Sequence, residues 1–391
     1  MKVLLVHSAY QQFGGEDSVV RAETELLEKH GDEVCHYSRH NDEIKQFGLA
    51  QKAAFFPQTI YSWKTSGELE DVVRRFKPDV AFIHNVYPLI SPSAYHKLHA
   101  LGVPTVQVLH NFRLHCPNGL FYTQGQICEA CSGGNYLQAI RKRCYKDSYA
   151  LSGLYALTLG LNRMGGVIDK ISGFICLTEF FKLKMQKAGV PDSKLFVRPN
   201  FVHAPALAAG ETQAGKYVLF MGRLSAEKGC WTLIRAFEQL PQVPLKILGT
   251  GPLEQELRDH IRGKGIRNIE LLGFKSGEEK WNILRNSLCL VLPSEWYENF
   301  PVTALEAFMA CKPVIAARLG GLPYIVEEGK SGLLFEAGNV GELAGRVQHL
   351  VENPAEAVRM GACGRQLTET KYGPEQGYSN LMKIFSQVQM A

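Results

Sequence analysis

Two glutamates eight positions apart, Glu298 and Glu306, bracket the segment ENFPVTALE. Pro301 suits the first position of a helix. That would put Glu298 just before the helix, Glu306 on its second turn, and the backbone N–H groups of Asn299, Phe300, Val302 and Thr303 at one place. Carboxylates so placed can accept hydrogen bonds from sugar hydroxyls or a ribose diol. An acidic helix start also complements the helix dipole, which accounts for Glu298 without a ligand. It does not account for Glu306, set in the apolar run TALEAFM, where an unpaired charge is costly. Upstream, GRLSAEKG places Arg223 and Lys228 five residues apart after an apolar strand pattern. A guanidinium fork and an ammonium there could clamp a diphosphate, or simply pair with surface acids. Gly249-Thr250-Gly251-Pro252 follows another strand pattern, where small residues keep a wall open. Gly14-Gly15, ahead of Glu16 and Asp17, could present N–H groups to an anion or form a plain strand-to-helix turn. The pattern is not G-x-G-x-x-G, so a nicotinamide dinucleotide has little support.

A second constellation is the quartet Cys116, Cys128, Cys131 and Cys144, spaced C-x11-C-x2-C-x12-C. A C-x2-C pair with two outer thiolates suits a closed tetrahedral structural zinc. A disulfide or redox pair, an iron–sulfur cluster and four plain thiols are the other readings. No open ligand position is implied, so catalytic zinc is not expected. Next come Arg141-Lys142-Arg143 and Lys146, then the apolar segment from Tyr149 to Leu161. This suggests either a peripheral membrane contact, reaching a lipid-linked acceptor, or a core helix with a solvated basic end.

The elements that must position these groups alternate. Apolar β-rich runs at 3–7, 33–38, 79–84, 105–110, 173–178 and 194–199 are separated by helical periodicity. After 200–216, which reads as a linker, the pattern restarts at 217–222, 244–249, 269–273, 288–293 and 313–317. Near-continuous apolar strands alternating with helices mean parallel sheets covered on both faces. The expectation is an α/β protein with a first domain over 1–200, carrying a Cys-rich insertion at 111–147. A second domain would cover 201–373, and an amphipathic helix over 374–391 would return to the first. Ligands of such sheets sit beyond the carboxyl ends of the strands, where the chemistry-bearing loops lie. The chain of 391 residues is 46% hydrophobic and 21% charged, which excludes disordered and fibrous classes. A net charge of +5 is mild and does not announce nucleic acid. The apolar run Val3–Val6 is too short for a signal peptide and Ala150–Leu161 too short to span a bilayer. The sequence therefore reads as cytoplasmic, with the inner membrane face as the place of any lipid contact.

Taken in order, GGE, GRLSAEKG, GTGP, ENFPVTALEA, PVIA, GGLP and SGLLF resemble family 4 glycosyltransferases of the GT-B fold over nearly the whole chain. The resemblance implies two Rossmann-like domains with a cleft between them. The implied activity is transfer of a sugar, hexosyl in type, from a nucleotide sugar (UDP- or GDP-linked) to a hydroxyl acceptor. Retention of anomeric configuration, polysaccharide or glycoconjugate synthesis and no catalytic metal are also implied. By the same resemblance Arg223 and Lys228 hold the donor diphosphate, with Gly14 and Gly15 beneath the phosphates. Glu306 holds the ribose; Glu298 and the backbone of Asn299, Phe300, Pro301 and Val302 hold the sugar. Gly249 and Gly251 line the donor site, and base contacts fall near Gly273-Phe274. His110, ending the run TVQVLH, matches the family's histidine near the reaction centre, and Glu16 lies on the acceptor side. The sequence departs from the family at Cys311-Lys312-Pro313, where a glycine usually precedes the proline, and at Tyr324, usually glutamate. A nucleotide-sugar epimerase of the same fold and a catalytically silent sugar-nucleotide-binding scaffold are the alternatives. Closure about the 200–216 linker is expected to exclude water from the donor.

Overall fold

The computed structural model describes residues 1–9, 14–202 and 213–390. Residues 203–212, most of the expected linker, lie outside them, as do 10–13. The chain divides into two compact units. One comprises Met1–Thr123, Cys128–Asn200 and Pro374–Ala391; the other comprises Gln124–Ile127 and Phe201–Gly373.

The strands of the first unit's sheet are β1 (Lys2–Ala9), β2 (Glu33–His40), β3 (Val80–Asn85) and β4 (Thr105–Leu109). A two-stranded ribbon follows as β5 (Tyr122–Thr123) and β6 (Gln126–Ile127), and the sheet is completed by β7 (Gly173–Cys176) and β8 (Leu195–Val197). The sheet order is β2-β1-β3-β4-β7-β8, every pair parallel. Val3 to Val6 and Val80 to Ile83 are wholly buried, because a central parallel strand is covered on both faces. The order reverses between β1 and β3, so the loops leaving their carboxyl ends run to opposite sides, the place where such sheets receive ligands.

The other unit holds β9 (Val218–Met221), β10 (Leu245–Leu248), β11 (Ile269–Gly273), β12 (Cys289–Leu292), β13 (Val314–Ala317) and β14 (Gly332–Phe335). Their order is β11-β10-β9-β12-β13-β14, again all parallel. Here the reversal falls between β9 and β12, which pair through Val218–Cys289 and Leu219–Leu290. The segments ending in Arg223–Lys228 and in Glu298 leave from these two neighbouring strands.

The helix Pro374–Met390 belongs to the first unit and buries Leu381, Ile384, Phe385 and Val388. Phe385 meets Phe82 edge-on, 5.3 Å between centroids, and Tyr378 stacks on His30 at 3.8 Å. Beneath it lies a fully buried ion pair. Arg198 donates through both terminal nitrogens to Glu23, one bond measuring 3.0 Å, and through Nε to the Gly377 carbonyl at 2.9 Å. Removing one partner of such a pair strands a buried charge, which costs about 3–5 kcal/mol. Arg198→Met should therefore lower the first unit's unfolding free energy, read from urea titration, by that amount. The double change Glu23→Leu with Arg198→Met should recover most of it; equal losses in the single and double variants would contradict this.

Candidate active site

In the second unit the site is built on the β9 and β12 loops. Arg223 is exposed just beyond β9. Lys228 ends a short 3-10 turn, Ala226–Lys228, and Gly229 then enters the left-handed region (φ +68°) to start the helix Cys230–Glu238. A Cβ on Gly229 would stand 1.8 Å from the Pro293 carbonyl oxygen. Only glycine lets the two loops approach so closely. The main chain then ties them, Glu295 N donating to Glu227 O at 2.9 Å.

Lys228 Nζ thereby reaches Glu298 Oε1 at 2.6 Å, and the Ser294 hydroxyl donates to the same oxygen at 2.6 Å. Glu298 is only 5% exposed. Burial pushes its carboxyl up, but the Lys228 ammonium and the Ser294 hydroxyl outweigh it and hold the group below the usual carboxylate range. Asn299 and Phe300 follow, both buried. The helix runs Val302–Met309 with Pro301 as its N-cap, one position earlier than the expected N1. The extended ψ of 116° at Pro301 places it outside the first turn. Gly321 N donates to the Glu298 carbonyl at 2.6 Å, and a Cβ on Gly321 would come within 2.0 Å of the Asn299 oxygen. Glu306 is paired after all: Lys280 Nζ donates to its Oε1 at 2.7 Å. Gly249 (φ +143°) and Gly251 pack against Gly222 and Leu224, where a Cβ would fall 1.8 and 2.3 Å from backbone oxygens. Phe274, just past β11, is 63% exposed.

The first unit gathers a separate group at the ends of β1, β3 and β4. Gly14 caps the helix Gly15–Lys29 and donates from N to Asp17 Oδ2 at 2.9 Å. Among the described residues a Cβ on Gly15 would meet nothing within 4 Å. His7 on β1 contacts Asp17 Oδ1 at 3.0 Å and stands 3.8 Å from Glu16 Oε1. His84 Nδ1 lies 3.0 Å from His110 Nε2, the rings nearly parallel. Gln107 fixes this pair from β4: Tyr95 Oη donates to its Oε1 at 2.5 Å, and its Nε2 donates to the His84 carbonyl at 3.0 Å. His7 and His84 carry no sequence signal, since histidines inside buried strand runs follow no chemical spacing; Asp17 reads only as part of an acidic helix start. Lys280 and Ser294 also carried no signal.

Desolvation, reinforced by neighbouring His7, pushes His110 down to about 3; desolvation, His110 and His7 push His84 well below the usual histidine value. Both rings are neutral at pH 7, so one donates and the other accepts. His115, wholly buried, is brought to about 4 by desolvation and Arg163.

The structure does not support the expected zinc at Cys116, Cys128, Cys131 and Cys144. Among the described residues no group of three or more His, Cys, Asp or Glu could hold a metal ion, and all four cysteines are free. The Cys116 thiol instead donates to Asn118 Oδ1 at 3.0 Å, and Lys142 Nζ donates to Cys128 Sγ at 3.2 Å. Burial raises the Cys116 and Cys144 thiols and takes Cys131 to about 12.

Residues 13–204 match the family model described as Glycosyltransferase Family 4, and residues 208–367 match that described as Glycosyl transferases group 1. The chain belongs to the family 4 glycosyltransferases of the GT-B type. An uncharacterized glycosyltransferase of Methanocaldococcus jannaschii is 32% identical over 170 residues, 44% of this chain and 48% of that protein. The D-rhamnosyltransferase WbpZ of Pseudomonas aeruginosa is 33% identical over 148 residues, 37% of this chain and 39% of its own length. The chain thus matches less than half the length of these relatives. Among solved structures, sucrose-phosphate synthase from Thermosynechococcus elongatus superposes with a TM-score of 0.73 at 16% identity, covering 99% of this chain and 98% of that one. Anabaena HepE, solved in complex with UDP and glucose, gives 0.66 at 18% identity and covers 99% of both chains.

The neutral histidines set an acid limit on the fold. Their folded pKa values lie below the unfolded value near 6.5, so below pH 6.5 the unfolded chain takes up protons the folded chain refuses. Stability is then lost as pH falls from about 6.5 toward 4, by up to about 1.4 kcal/mol per pH unit for each such ring. His84→Asn should flatten the dependence of the urea midpoint between pH 6.5 and 5. An unchanged slope would mean that this ring protonates in the folded state as readily as in the unfolded one.

Proposed function

We propose that this protein transfers a sugar from a nucleoside diphosphate donor to a hydroxyl acceptor with retention of anomeric configuration. The observation that carries the reading is the Lys228–Glu298 pair at the reversal between β9 and β12. It sets an ammonium beside a buried carboxylate at the place where a doubly wound sheet receives its ligand. When donor binds, the diphosphate takes up contacts from Lys228 and Arg223. Glu298, with the backbone of Asn299 to Val302, holds hydroxyls of the transferred sugar. Glu306 accepts from the ribose diol, and Gly249, Gly251 and Phe274 border the nucleotide. The solved HepE complex with UDP supports a UDP donor, with GDP the second choice.

In the reaction the anomeric C–O bond breaks and its electron pair leaves on the diphosphate oxygen. Arg223 and Lys228 stabilise that growing charge, a purely electrostatic role, as does the N–H of Gly15. The acceptor hydroxyl adds to the same face and gives its proton to the departing phosphate oxygen, so no carboxylate nucleophile is needed, unlike retaining glycosidases. The neutral His110, held by His84, offers a hydrogen bond near the sugar without adding positive charge. Glu16 serves the acceptor side. The acceptor we favour is a lipid-linked sugar in polysaccharide or glycoconjugate synthesis, met at the cytoplasmic face of a membrane.

With turning-over substrates, Arg223→Ala and Lys228→Ala should each lower kcat/KM by about 10²–10³, the usual effect of losing one charge-stabilising donor. NMR of the product should show the donor's anomeric configuration. Undiminished turnover in both variants, or an inverted product, would contradict the reading.

A further inference from the structure

The helix Tyr149–Met164 breaks the usual rule for a surface helix, whose outward face is polar. Its inner side buries Leu154, Tyr155, Ala156 and Leu159. Its outward side exposes Leu157 (46%), Leu161 (42%) and Met164 (85%), one stripe at helical spacing. From Ala150 to Asn162 the sequence carries no charge at all. Two neighbouring helices also expose apolar side chains. The helix Leu137–Arg141 packs alongside and exposes Leu137, while the helix Leu49–Ile60 packs on another side and exposes Phe56.

Charge gathers at one end of this apolar face. Arg141, Arg143 and Lys146 are exposed, and Arg143 lies over the ring of the exposed Tyr149, 5.6 Å from its centroid. The acid beside them is Asp147, 3.3 Å from Arg143 Nε. This cluster of cations beside the apolar face complements an anionic surface.

We propose that this face docks on an anionic phospholipid bilayer, with Leu157, Leu161 and Met164 entering the headgroup boundary and Arg141, Arg143 and Lys146 meeting lipid phosphates. No helix among the described residues is long and apolar enough to cross a membrane, so the helix would lie in the interface plane. Each cation near such a surface adds about fivefold to affinity. The inference rests on the membrane-face part of the proposed function and gives that part its surface and its partner.

The test is co-sedimentation of the intact protein with vesicles of phosphatidylcholine alone and of phosphatidylcholine with phosphatidylglycerol at 3:1. Binding should be at least tenfold tighter to the anionic vesicles. Leu157→Glu with Leu161→Glu, and separately Arg141→Glu with Lys146→Glu, should each weaken it at least tenfold. All four side chains are exposed, so the thermal shift given by UDP or GDP should be unchanged in these variants and reports that they are folded. Absence of binding to anionic vesicles by a nucleotide-responsive protein would overturn the docking surface alone. So would binding that survives both double substitutions, or a dimer in light scattering that Leu161→Glu disperses. Failure of both nucleotides to shift the wild type would count against the donor site instead.

Discussion

A lysine and a glutamate 70 residues apart meet at 2.6 Å, and the second unit's site depends on that meeting. The sheet order makes it possible, because β9 and β12 are neighbours although three crossovers separate them in sequence. Close approach completes it. Gly229 lies against Pro293 and Gly321 against Asn299 at separations that no side chain permits. Glu298 is nearly buried, and an isolated carboxylate there would be neutral or unstable. The ammonium keeps it charged, and the Ser294 hydroxyl satisfies it further. The two charges hold one another in readiness, and a ligand bearing both a diphosphate and hydroxyl groups could share them.

The first unit solves the opposite electrical problem. Its strand ends carry His7, His84 and His110, yet desolvation and their mutual proximity keep His84 and His110 uncharged. A charged imidazole there would be one more buried fixed charge; a neutral pair supplies directional hydrogen bonds instead. The Asp17 and Glu16 carboxylates near His7 belong to the helix start capped by Gly14, so one short segment shapes both the helix cap and the histidine contacts.

Much of this was legible in the residues. Buried parallel strands are apolar on both faces, so eleven of the twelve main-sheet strands stood out as runs, and so did the helix at 374–390. The strand GLLF at 332–335 appeared only as a motif, its four residues being too short to show a period. The ribbon of β5 and β6 has two residues per strand and no hydrophobic signature. The spacing picks out Arg223, Lys228, Glu298 and Glu306, but not the counter-ion of Glu306: Lys280 comes from another helix, and only the fold brings it there. The cysteine quartet suggests ligands by spacing alone, whereas the structure shows Cys116 hydrogen-bonded to Asn118 and Lys142 hydrogen-bonded to Cys128. Cys311, at the departure from the family's glycine, does adopt the left-handed conformation (φ +55°) that glycine would favour.

The most direct measurement of the central claim is calorimetric titration of UDP and GDP into the wild type, Lys228→Ala and Glu298→Gln. If the pair is a poised clamp, whichever diphosphate binds the wild type should bind Lys228→Ala at least tenfold more weakly. Glu298→Gln should retain its affinity, because losing the carboxylate frees the ammonium for phosphate. Equal weakening in both variants would make the pair a structural tie, and full affinity in Lys228→Ala would remove the clamp altogether.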